Sequence, residues 1–397
     1  IVVDEAHKLG GTNSQVARHR LGQSLAQAAP YILLLSATPH QGKSDAFLRL
    51  MSLLDPIAFT SEDELDRDTV SEYVLRTEKR KAIDIEGKPL FKKRNTSLVP
   101  VYFGEKSERQ KLLYEAVTAY VREGYRRALN QKQNYIGFLM LLMQRLVASS
   151  TAAIARALEK RLEALSDTDD QMTLPLDLDS FSFAEFEEMN NSEEIGFPGI
   201  FKVKPFVNEA ERVRYLLGLA RAVEFEENDA KALKLLEIIQ TIRMEEMNPE
   251  VKILIFTEFV ATQKMLQKFL EERGFSVCIL NGSMSLEERL KAQRSFAKKA
   301  QILISTDAGG EGLNLQFCHV VVNYDMPWNP MKIEQRIGRV DRIGQSLDVK
   351  AFNLAIESTV EFRVIEVIQR KLQVILDEFG VDKTGDVLDS TEAADLF

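Results

Sequence analysis

Residues 301–316 read QILISTDAGGEGLNLQ. Ile302, Leu303 and Ile304 form the short, uninterrupted apolar run expected of a strand buried on both faces of a parallel sheet. The run ends in a polar, glycine-rich turn, Thr306 to Gln316. A strand followed by such a turn places the turn at the carboxyl edge of a sheet, where open α/β folds bind their ligands. Gly309, Gly310 and Gly312 allow backbone there to approach a phosphate closely.

The same alternation extends on both sides. Val251–Phe256, Ser276–Leu280, His319–Asn323 and Val349–Leu354 read as further strands, with helices at Ala261–Arg273, Leu286–Phe296 and Lys332–Val340. Near the N-terminus, Ile1–Val3 and Tyr31–Leu35 read as strands, with a helix near Ser14–Ala29 between them. Another helix, Ala46–Leu54, is stopped by Pro56. From about Ser61 to Met244 the pattern is helical. Leu112, Leu113, Ala116, Val117, Tyr120 and Val121 mark one amphipathic face, and Ile136–Leu165 is one long helix or a pair. Asn208 and Glu211 have capping-box spacing, and Asp229 starts a further helix. The expected fold is α/β: two doubly wound parallel-sheet lobes, the first incomplete, separated by a helical insertion. The expected divisions are 1–60, 61–230, 231–358 and 359–397, the last being a helix from Thr359 to Phe379 followed by a loose tail.

Composition sets limits on partners. The 397 residues are 45% apolar and 28% charged, as in an ordinary globular protein, and no membrane-length apolar stretch occurs. Cys278 and Cys318 lie in apolar runs without metal spacing, which points to buried thiols in a reducing, cytoplasmic setting. The net charge of -9 is concentrated. Residues 166–197 hold ten acidic side chains and no Lys or Arg, and without them the chain carries +1. Phe181, Phe183 and Phe186 lie within this acidic stretch and suggest docking onto the core or a protein partner. Residues 76–94 carry a local +5, and Arg76, Lys79, Lys92 and Lys93 are candidates for a nucleic-acid phosphate track. The alternative for that run is a solvated hairpin.

Asp4-Glu5-Ala6-His7 follows the strand Ile1–Val3 directly. Two adjacent carboxylates at a sheet's carboxyl edge suit nucleotide hydrolysis: one holds Mg²⁺ against the phosphates and the other orients water. Asp4 is assigned to the metal and Glu5 to water. Ser36-Ala37-Thr38 follows the next strand. Residues 334–345, EQRIGRVDRIGQ, follow the glycine-rich turn. Arg339 and Arg342 lie three apart, a spacing that puts them on one face of a helix. Guanidinium groups there stabilise the charge that spreads over a leaving phosphoryl group.

Taken together and in this order, these segments resemble motifs II, III, V and VI of superfamily 2 helicases. Residues 310–315, 324–330 (YDMPWNP) and 342–345 resemble the Swi/Snf-like branch. Residues 252–258 fit motif IV, and 281–283 fit the nucleic-acid segment that follows it. The resemblance implies RecA-like lobes, ATP and Mg²⁺ as cofactors, and double-stranded DNA tracked through its backbone. It implies Arg339 and Arg342 as arginine fingers, with Gly312, Asn314 and Gln335 near the nucleotide. His7, Ser36 and Thr38 would couple the sites, and Thr257, Ser283 and Thr306 would face DNA. Trp328 is expected to pack rather than to stack on a base. Residues 37–44, ATPHQGKS, match a loose phosphate-loop pattern, but they coincide with the continuation of motif III and contain Pro39. The chain opens on a strand without Met and is expected to begin inside a domain, downstream of the phosphate loop. Two rival readings stay open: a strand-separating DNA or RNA helicase, and a binding or scaffold module without nucleotide turnover.

Overall fold

The structure, a computed structural model, describes residues 1–11, 17–36, 39–40, 42–75, 79–130, 134–166, 208–226, 228–310, 313–379 and 387–388. The acidic stretch beyond position 166 and most of the tail after Phe379 lie outside the described residues. The chain forms two units: residues 1–96, 327–335 and 364–397 make the first, and residues 97–326 and 336–363 the second.

In the first unit, β1 (Val2–Val3) pairs in parallel with β2 (Leu33–Leu34) in the register Val2 to Leu33. The helices Ala17–Ala28, Ser44–Met51 and Arg67–Tyr73 accompany them. Ala6, Leu9, Phe47, Leu50, Met51, Phe59 and Val70 form the core. Asp66 caps the third helix by accepting from the backbone N–H of Asp68 and of Thr69 at 2.9 and 3.0 Å, which satisfies two of the unpaired donors at a helix start.

The second unit holds a six-stranded sheet made with β3 (Arg94–Val101), β4 (Ile253–Phe256), β5 (Val277–Leu280), β6 (Ile302–Ser305), β7 (Val320–Asn323) and β8 (Val349–Ile356). Its order is β3-β8-β7-β4-β6-β5. The neighbours among β5, β6, β4, β7 and β8 run parallel, with Ile253 opposite both Ile302 and Val320. All four residues of β4, of β6 and of β7 are buried, the physical reason for their unbroken apolar sequences. From β4 the chain winds one way through β5 and β6, then crosses back to β7 and β8. The carboxyl ends of β4, β6 and β7 therefore meet at the switch point of the sheet.

Four helices, Glu108–Asn130, Asn134–Ser149, Thr151–Ser166 and Glu209–Glu226, share a core of their own around Leu113, Val117, Leu146, Leu158 and Val213. Residues 136–165 are thus a pair of helices. Ser150 divides them, its hydroxyl accepting from the Ala153 N–H at 3.0 Å. The salt bridge of Arg161 with Glu209 is fully buried, and the Tyr120 hydroxyl donates to the same Glu209 oxygen at 2.7 Å. Asn208, at φ 61, is left-handed rather than extended as a cap is. Asp229 precedes the helix Ala230–Glu245 but spends its carboxylate elsewhere, accepting from the Thr151 N–H and the Gln110 Nε2. Gln110 Oε1 in turn accepts from the Ala230 N–H at 2.8 Å, closing the helix start from a distant element.

Candidate functional site

The Asp4–His7 turn begins where β1 ends. Glu5 takes φ 51, a left-handed conformation that is uncommon outside glycine and costs conformational energy. Its N–H donates to Asp4 Oδ1 at 2.8 Å. Both carboxylates are exposed. Hard oxygen donors in this number fit Mg²⁺, which usually takes one or two protein carboxylates and completes its shell with water and phosphate. Among the described residues no cluster of three or more His, Cys, Asp or Glu side chains forms a separate metal cage.

His7 lies behind the pair. Its Nδ1 is 2.9 Å from Ser36 Oγ and 3.3 Å from Glu5 Oε2. Burial holds the imidazole below its ordinary value against the opposing pull of Glu5. The structure thus brings together His7 and Ser36, two residues taken from separate segments as coupling groups. Thr38 lies outside the described residues.

In the second unit the glycine-rich turn and the arginine segment form one seam. Asp307 opens the short helical turn Asp307–Gly310 after β6. Arg336, near the end of the helix Pro330–Ile337, grips its carboxylate with Nε at 2.6 Å and Nη2 at 2.9 Å. Arg336 Nη1 also donates to the Asp325 carbonyl at 2.8 Å and to Asn323 Oδ1 at 3.3 Å. A bidentate pair between a buried guanidinium and a half-buried carboxylate fixes geometry as well as charge. The Leu315 N–H donates to the Arg339 carbonyl at 3.0 Å, a second stitch between the two segments. The sequence signal for this pair is the acidic residue one position after Thr306.

The helix ends at Ile337, so Arg339 and Arg342 stand in the turns that follow rather than on a shared helix face. Both side chains are half-buried, and Arg342 Nε donates to the Gly338 carbonyl at 2.9 Å. Gln335 is half-buried and Asn314 exposed, while Gly312 lies outside the described residues. Gly309 is required by packing within the unit: a Cβ there would come within 2.6 Å of the Leu280 carbonyl oxygen.

The residues assigned to DNA divide. Ser283, Lys92 and Lys93 are exposed. Lys79 lies 3.8 Å from Glu334, and its ammonium is 5.6 Å from the Phe91 ring. Arg94, from the same basic run, is buried with its Nη2 at 2.9 Å from Glu334, so it does not contribute to an exposed track. Arg76 lies outside the described residues. Thr257 is fully buried and donates to Asp325 Oδ2 at 2.6 Å, and Thr306 is also buried, so neither faces a phosphate backbone in this conformation. Trp328 is buried, as the packing expectation required.

Sequence reasoning missed a cluster beneath this seam. Lys231 is 1% exposed and donates to Asp325 Oδ1 at 3.0 Å and to Glu361 Oε1 at 2.7 Å. Burial alone would lower the lysine, but Glu361 and Asp325 together raise it above the ordinary value. Burial pushes Glu361 up; Asp325 is buried as well, but the Lys231 ammonium and the donors around it hold it below the ordinary carboxylate range. The signal was present in the sequence: Lys231 stands at helical spacing with the buried Leu235, Ile238 and Ile242.

The chain is similar to several known proteins. The helicase conserved C-terminal domain family matches residues 230–344. The "Uncharacterized ATP-dependent helicase YqhH" of Bacillus subtilis (strain 168) is 28% identical over 399 residues, which cover 98% of this chain and 60% of that protein. The RNA polymerase-associated protein RapA of Proteus mirabilis (strain HI4320) is 31% identical over 400 residues, covering 91% of this chain and 35% of that protein. Among solved structures, the Pyrococcus furiosus Hef helicase domain is similar with a TM-score of 0.49 and 16% identity, covering 92% of this chain and 73% of that one. The chain therefore spans 60% or less of these two curated relatives. Over residues 230–344 the chain carries the helicase conserved C-terminal domain, and along most of its length it is similar to proteins named as an ATP-dependent helicase and as RapA.

Proposed function

We propose that this chain is the motor part of an ATP-dependent translocase acting on double-stranded DNA. The observation that carries the reading is the Asp307–Arg336 bracket, which ties the glycine-rich turn after β6 to the helix that leads into the arginine turn at 338–342. Such a bracket lets a change at one segment be felt at the other. In the first unit, the acidic turn at the end of β1, with His7 tied to Ser36, supports the same reading by residue type.

In this reading Asp4 takes Mg²⁺, which when bound neutralises phosphate charge. Glu5 orients the attacking water and receives its proton. Arg339 and Arg342 stabilise the negative charge that accumulates as the terminal phosphoryl group leaves. Gln335, Asn314 and Gly312 contact the nucleotide. His7, Ser36 and Thr38 transmit its state. The exposed Ser283, Lys92 and Lys93, with Lys79 and Arg76, contact the DNA backbone without reading sequence. Thr257 and Thr306 are buried and belong to the wall behind the site. A protein partner would meet the helical insertion or the acidic stretch, and the bacterial relatives support a prokaryotic cytoplasm as the setting.

The test sets triplex displacement beside strand displacement, both with ATP, in a form of the protein that carries a phosphate loop. Displacement of a third strand from an intact duplex, without release of either duplex strand, is expected. Release of duplex strands without triplex displacement would replace translocation with unwinding. Activity in neither assay, with DNA binding retained, would leave a binding module.

A further inference from the structure

Asp325 lies two residues beyond β7 and is 3% exposed. Its side chain gathers four donors from different parts of the second unit. Oδ1 accepts from Lys231 Nζ at 3.0 Å. Oδ2 accepts from Thr257 Oγ1 at 2.6 Å, from the Glu258 N–H at 3.0 Å and from Ser149 Oγ at 3.0 Å. Its own backbone carbonyl accepts from Arg336. One residue therefore joins the corner of the helical insertion, the end of β4 and the helix at Ala230 to the guanidinium that holds Asp307.

The insertion's grip is specific to that corner. Ser149 Oγ and Ser150 Oγ each lie 2.8 Å from Thr262 Oγ1, and Arg145 is ion-paired with Glu258, whose own N–H donates to Asp325. With both carboxylate oxygens occupied, the peptide carrying the Asp325 carbonyl has little freedom to turn. A shift of Ser149 would remove one of these restraints from Asp325, whose carbonyl is held by Arg336.

We infer that Asp325 is a positioning residue through which the seating of the helical insertion sets the orientation of Arg336 and of the arginine turn after it. The inference rests on the motor reading only for its consequence in turnover; the mechanical link itself does not depend on nucleotide. It gives the insertion a function, that of reporting what it contacts to the arginines of the site.

Hydrogen exchange on the chain without nucleotide or nucleic acid tests the link, using Ser149→Ala and Asp325→Asn. Ser149→Ala removes one donor from the hub and leaves Arg336 untouched. Exchange at residues 307–310 and 336–342 is expected to rise, by about five-fold for a single lost hydrogen bond. Exchange in β5, at the far edge of the sheet, stays unchanged. A uniform rise across the unit, β5 included, would reduce Asp325 to a structural role. Unchanged exchange at 307–310 and 336–342 in both variants would overturn the inference. Should Asp325→Asn fail to fold, Ser149→Ala alone decides. In a form with turnover, Ser149→Ala should lower kcat in duplex DNA and leave the KM for ATP unaltered. Absence of turnover in the parent protein would count against the motor reading, while the exchange result would still decide the link.

Discussion

Replacing Lys231 by Met removes the single ammonium that Asp325 and Glu361 share. The methionine fills most of the lysine stem's volume, so the loss is one of charge. The three side chains are 1%, 4% and 8% exposed, which leaves little water to compensate. Breaking a buried ion pair by deleting one partner costs about 3–5 kcal/mol, because the remaining charge stays desolvated. Here two carboxylates remain, facing each other. A loss in that range is expected in urea unfolding followed by fluorescence. The sign of the pH dependence is also determined. In the parent protein Lys231 is raised above its ordinary 10.5, so its contribution is complete below that pH and is lost as pH rises through the folded value. In the variant, burial and mutual repulsion raise both carboxylates, so the folded state binds more protons than the unfolded one. Its stability then falls as pH rises above the ordinary carboxylate range. The deficit should be narrower at pH 5 than at pH 8, and adding Glu361→Gln should recover part of it. A deficit under about 1 kcal/mol, or one independent of pH, would refute a confined charge cluster at this position.

Other outcomes follow from single contacts. Arg336→Lys cannot reproduce the two-pronged grip on Asp307 and should cost roughly 2–4 kcal/mol in unfolding, with turnover falling as well; a change within 0.5 kcal/mol, about the size of an ordinary surface substitution, would dismiss the bracket. Cys278 and Cys318 are both pushed up to about 12, chiefly by burial, so native protein at pH 8 should react far more slowly with a thiol reagent than unfolded protein. Rapid native labelling would contradict that placement. Ser36→Ala removes the hydroxyl beside His7 and should lower triplex displacement per ATP consumed while ATP turnover changes by only a few-fold, about the energy of one hydrogen bond. Equal losses in both would remove Ser36 from coupling.

What was legible in the sequence follows from burial. β4, β6 and β7 are covered on both faces, so their residues read as continuous apolar runs and were located within two residues of their ends. The division of residues 136–165 into two helices was less readable, because no glycine or proline marks it. The break at Ser149, Ser150 and Thr151 is made by partners distant in sequence: Thr262, Asp325 and Asp229. Asp229 looked like a helix cap because its type and position fit one, yet tertiary contacts took its carboxylate. The acidic turn and the glycine-rich turn were readable because each packs a distinctive set of residue types into a few consecutive positions. Thr257 and Thr306 share that local pattern, but their burial depends on how strand ends meet, which no local spacing encodes. Arg339 and Arg342 were picked out by charge, whereas the end of the helix at Ile337 changed the geometry inferred for them.

The most direct test is ATP turnover, with and without duplex DNA, of Glu5→Gln in a form of the protein that carries a phosphate loop. Turnover stimulated by duplex DNA in the parent and abolished in the variant, with ATP binding preserved, is the result the account predicts. Hydrolysis by the variant at the parent's rate would contradict the role given to the acidic turn, and with it the motor.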